Sequence, residues 1–64
     1  RRVAAEMAHT AAPFTRFDQE ALELRIVLIL EEMQAAFRLA AHADLPEAER
    51  IIETFTEMTL AALA

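Results

Sequence analysis

The 64-residue chain is 56% apolar, sets eleven acidic side chains against six basic ones, and contains neither cysteine nor glycine. The first absence excludes disulfides and thiolate metal sites; the second excludes phosphate-cradling loops of the Walker or Rossmann kind. Serine and lysine are missing as well, which removes the usual nucleophiles, so the chain reads as non-enzymatic and is expected to need no cofactor.

One domain of this size buries only about 60% of the surface its unfolded form exposes, and small scaffolds usually gain stability from disulfides, a metal or oligomerisation. With cysteine absent, oligomerisation is the favoured route. The six arginines are spread from Arg1 to Arg50 in a chain of net charge −5, unlike the concentrated basic face of a nucleic-acid binder. No nucleic-acid partner is therefore expected. The longest run of large apolar residues, Ile26–Leu30, falls far short of the ~20 residues a bilayer span requires, so no membrane partner is expected either. The absence of cysteine and of a targeting segment points to a cytoplasmic setting. The opening Arg1-Arg2, without methionine, reads as a segment of something longer.

Residues 2–12 carry Val3, Ala4, Met7, Ala8 and Ala11 at helical spacing, a helix too short to stand alone. Pro13 removes a donor and restricts Ala12, ending or bending it. Residues 1–13 thus form a short N-terminal helix or lead-in, and 14–64 a helical hairpin. Thr15 is the expected N-cap of the long helix, with Asp18 at N3 as a weak capping box. That helix, Phe17–Ala41 and running to about His42, is apolar on two opposite sides when placed at about 100° per residue. One stripe is Leu22, Ile26, Ile29, Leu30, Met33, Ala36, Phe37 and Ala40; the other is Phe17, Ala21, Leu24, Leu28, Ala35 and Leu39. Narrow polar seams separate them, Arg25 and Glu32 on one side and Glu20, Glu23, Glu31, Gln34 and Arg38 on the other.

Asp44-Leu45-Pro46-Glu47 reads as an N-cap aspartate, a first-turn proline and a capping-box glutamate. A third helix over about 45–63 then carries a single stripe of Ala48, Ile51, Ile52, Phe55, Met58, Thr59 and Ala62. The short link at His42–Asp44 predicts an antiparallel hairpin. Leu39–Ala48 resembles the helix–turn–helix of tetratricopeptide-type repeats, which need about three copies for stability where this chain has one. In architecture alone the hairpin is similar to Rop-like dimeric bundles.

Few residues offer chemistry. Glu6-x-x-His9 has the i, i+3 spacing of ligands in carboxylate-bridged bundles, and Glu31 or Glu32 could complete such a site across a dimer. A solvated Glu–His pair accounts for it more simply. His42 sits where an imidazole favours the helix C-terminal carbonyls, or where a pH-sensitive contact would form. Glu49, Glu53 and Glu57 make an i, i+4 acidic row that would receive an arginine- or lysine-rich protein, or else serve only as a solvated face. Thr59 can bond back to the carbonyl four residues earlier, and Met7, Met33 and Met58 read as core fillers, a residue type that also suits adaptable binding surfaces.

A surface helix needs one apolar face, and one apolar nearly all round is buried. The second stripe of the long helix is thus expected to meet another polypeptide, as a homodimer that closes two hairpins into a four-helix bundle. The functional expectation is a dimerisation or docking module mediating protein–protein interaction within a larger bacterial-type multi-protein or multi-enzyme system. The alternative is a helical bundle holding a metal or a small apolar ligand, as in a regulator fragment.

Overall fold

A computed structural model describes all 64 residues as three helices and no strand: α1 (Arg2–Ala11), α2 (Gln19–Ala41) and α3 (Leu45–Leu63). α2 and α3 pack as the expected antiparallel hairpin, and α1 lies against α2. No helix is long and apolar enough to cross a membrane.

α1 gives way at Ala12–Phe14 to a 3-10 turn that contains Pro13, so the α-helix ends one residue short of the expected 2–12 and the proline lies within the tighter turn. The face α1 turns inward is alanine. Ala4 and Ala8 are buried against Leu22 and Ile26 of α2, their small side chains allowing the two helices a close approach. Burying Leu22 and Ile26 contributes about 2 kcal/mol apiece, which holds a ten-residue helix that could not persist in isolation.

The start of α2 differs from expectation. Thr15 is not the cap: its Oγ1 accepts the Phe17 N–H at 3.2 Å, closing a tight bend of its own. Asp18 takes the N-cap position in an extended conformation, and its Oδ1 accepts the Ala21 N–H at 2.8 Å. A carboxylate is the stronger acceptor at the positive end of a helix, so the helix begins at Gln19 and Phe17 falls in the preceding bend. Asp44 behaves as expected, accepting the Glu47 N–H at 2.9 Å. The reciprocal bond of a capping box, from the Asp44 N–H to the Glu47 side chain, does not form, and Glu47 lines a groove between α2 and α3.

The hairpin turn uses no left-handed residue. His42 and Ala43 N–H groups donate to the Leu39 and Ala40 carbonyls, each at 3.2 Å, tightening the last turn in the 3-10 manner. At the far end, Arg16 Nε donates to the Ala64 carbonyl at 2.8 Å, which sets the end of α3 beside the start of α2.

α3 is less covered than its single stripe implies. Ala48, Ile51, Phe55, Thr59 and Ala62 are half-buried, while Ile52 and Met58, on the two edges of the stripe, are exposed. Met7 is exposed too, so of the three methionines only Met33 is even partly inside. Thr59 makes no bond to the carbonyl four residues back; its hydroxyl is buried without a partner. Only five residues are buried in the whole chain, none of them in α3. The molecule measures 39 × 22 × 13 Å, with a radius of gyration of 13.3 Å, against about 11 Å for a compact chain of this length. It is an open layer.

Candidate functional site

Both neighbours of α2 pack on its first stripe. α1 covers Leu22 and Ile26, while Ala36 is buried on the side that meets α3. The second stripe is left uncovered where its residues are large: Leu24, Leu28 and Leu39 are 46%, 61% and 63% exposed. Ala21 and Ala35 between them are half-buried.

Phe17 departs from this stripe. Lying in the bend before α2, it packs against the α1–α2 core. Its ring is flanked by two guanidinium carbons, that of Arg16 at 4.7 Å and that of Arg25 at 3.8 Å. Such contacts contribute about 0.5–1 kcal/mol each where solvent reaches them. The wheel position of Phe17 assumes a helix that begins at Phe17, two residues before its observed start at Gln19.

The uncovered face of α2 continues into a groove along the hairpin. Its upper part, about 430 Å³, is walled by Ala35 and Leu39 of α2 and by Ile51, Phe55 and Met58 of α3. Its lower part, about 470 Å³, runs past Leu28, Ile29, Ala61 and Ala62. The two parts share Glu32 and Met58, so they form one channel along the layer. Met58 is 52% exposed on its rim. The α3 wall was not evident from the sequence. Its residues belong to the single stripe assigned to α2, and the exposure of Met58 at the edge of that stripe leaves the groove open.

Four charged residues border the groove: Arg25, Glu32, Glu47 and Arg50. None has an opposite charge within ion-pair distance. The ion pairs of the chain are Arg1–Glu23 and Arg2–Glu6, both at 3.5 Å. Two acids and two bases with no partners leave the border of the groove electrically balanced.

The remaining candidates lie elsewhere. Glu6 is engaged with Arg2 and His9 Nδ1 with Gln19 Oε1 at 3.4 Å, so the two are turned to separate neighbours. Nowhere do three histidine, aspartate or glutamate side chains converge as metal ligands would. Glu49, Glu53 and Glu57 are exposed on α3. Glu49 and Glu53 border a shallow depression floored by Leu45, Ala48 and Ile52, which joins the acidic row to an apolar patch. His42 is exposed at the hairpin turn.

Comparison of the chain with protein families, curated proteins and solved structures finds no match.

Proposed function

We propose that this chain is a non-enzymatic association module that pairs with a second copy through the uncovered face of α2 and the groove beside it. The observation that carries the reading is the exposure of Leu24, Leu28 and Leu39 in one row on the central helix of the layer. Area supports it. The chain exposes 4936 Å², whereas a compact monomer of 7.2 kDa exposes about 4100 Å². The excess of roughly 800 Å² equals one partner's share of a standard-size interface. Two layers placed face to face would bury these leucines at the centre of a four-helix bundle, with α1 packed outside.

Sedimentation equilibrium at micromolar concentration tests the proposal, with a dimer expected for the wild type. Leu28→Glu and Leu24→Glu place an unpaired carboxylate in the contact, at a cost of several kcal/mol, and both are expected to sediment as helical monomers. Variants that keep the wild-type mass and melting temperature would exclude this face.

A second reading rests on the groove itself, whose upper part alone has the volume of a small-molecule site. It makes the chain a binder of a small apolar ligand. A monomeric wild type that takes up a hydrophobic dye saturably, and loses the uptake on Leu39→Glu, would favour it.

A further inference from the structure

Arg25 and Glu32 stand seven residues apart on α2, two helical turns and about 10 Å along its axis. Both border the same stretch of groove, and Leu28 lies between them. Neither has an opposite charge within 4.0 Å. The Arg25 guanidinium is held in place by the Phe17 ring at 3.8 Å and by donation to the Ala21 carbonyl at 3.4 Å. That single bond uses one of five donors. The result is an ordered cation with unused hydrogen-bonding capacity, on the edge of an apolar face.

A two-fold contact uses the same patch on both copies, so a patch with both signs must meet itself in reverse. An axis passing beside Leu28 reverses α2 onto a second α2 and exchanges the Arg25 and Glu32 positions. We infer that the second copy docks antiparallel in this register, with Leu28 packed at the axis. Arg25 of each copy then faces Glu32 of the other, twice over. The inference rests on the association reading and adds its geometry: an isologous α2–α2 contact whose charges specify partner and register. A register displaced by two helical turns in either direction would set Arg25 against Arg25 or Glu32 against Glu32, which is the repulsive element a specific interface needs.

Charge exchange tests it. R25E carries carboxylates at both positions and E32R carries guanidiniums at both, so each should dimerise about tenfold or more weakly than wild type. An equimolar mixture of the two should form the heterodimer at near wild-type affinity, because every facing pair is again opposite in sign. The double variant R25E/E32R should regain the homodimer. Sedimentation of each single variant, native mass spectrometry of the mixture and circular dichroism for helicity give the readings. A dimeric wild type whose single variants dimerise unchanged, or whose mixture shows no preference for the heterodimer, overturns the register and leaves the association module standing. A monomeric wild type removes both.

Discussion

Thr59 is the one buried side-chain polar atom of the chain without a partner. Thr10 and Thr56 donate to the carbonyls four residues earlier, at 3.1 and 2.9 Å, which is the ordinary resolution for a hydroxyl within a helix. Thr59 lies instead on the face of α3 that carries Phe55 and Ala62, and its hydroxyl is shielded from water without forming that bond. An unsatisfied buried hydroxyl costs about 1–3 kcal/mol. Thr59→Val keeps the shape and removes the cost. It is expected to stabilise the protein by about 1 kcal/mol, seen as a rise of roughly 4–8 °C in thermal unfolding at fixed protein concentration; Thr59→Ser should give no such gain. The spacing of the stripe placed Thr59 correctly, but which oxygen it would reach depends on a rotamer that no periodicity encodes.

Helix boundaries show where local chemistry is decisive. The caps compete. Thr15 and Asp18 both precede the long apolar run, and both are good N-cap residues by type. What decides between them is the bend over 15–17, where Thr15 Oγ1 is already occupied by the Phe17 N–H. Asp18→Ala is expected to cost about 1 kcal/mol in urea unfolding, and Thr15→Ala less, because α2 keeps its cap. Equal losses would restore Thr15 as the effective start. The three helices and the hairpin were legible from apolar spacing, Pro13, and the Asp44–Glu47 signal. The pairing of Phe17 with two arginines was not, since it arises from the bend over 15–17. Likewise, both stripes of α2 could be drawn on a wheel, but the wheel does not say which stripe α1 takes. The alanines of α1 suit either, and the structure seats Ala4 and Ala8 on the stripe that carries Leu22 and Ile26.

At the scale of the whole molecule, five buried residues and a 13 Å thickness describe a fold with little interior of its own. Stability drawn from a second copy depends on protein concentration, because binding to the native state alone adds free energy with the logarithm of partner concentration. The melting temperature is therefore expected to rise across a hundredfold concentration series. Glu6 and His9 face separate neighbours, so a chelator is expected to leave that temperature unchanged; a large drop would restore the metal-binding alternative. The layered order α1–α2–α3, in which each helix packs mainly on its neighbour in the chain, bears on time as well as on stability. Contacts between successive elements close short loops, and helical folds built this way form in microseconds to milliseconds. Pairing of two such layers must instead wait for diffusional encounter, on scales from milliseconds to minutes set by concentration. If the proposed pairing holds, a newly made chain acquires its shape long before it meets a second copy, and spends that interval with Leu24, Leu28 and Leu39 open to whichever apolar surface arrives first.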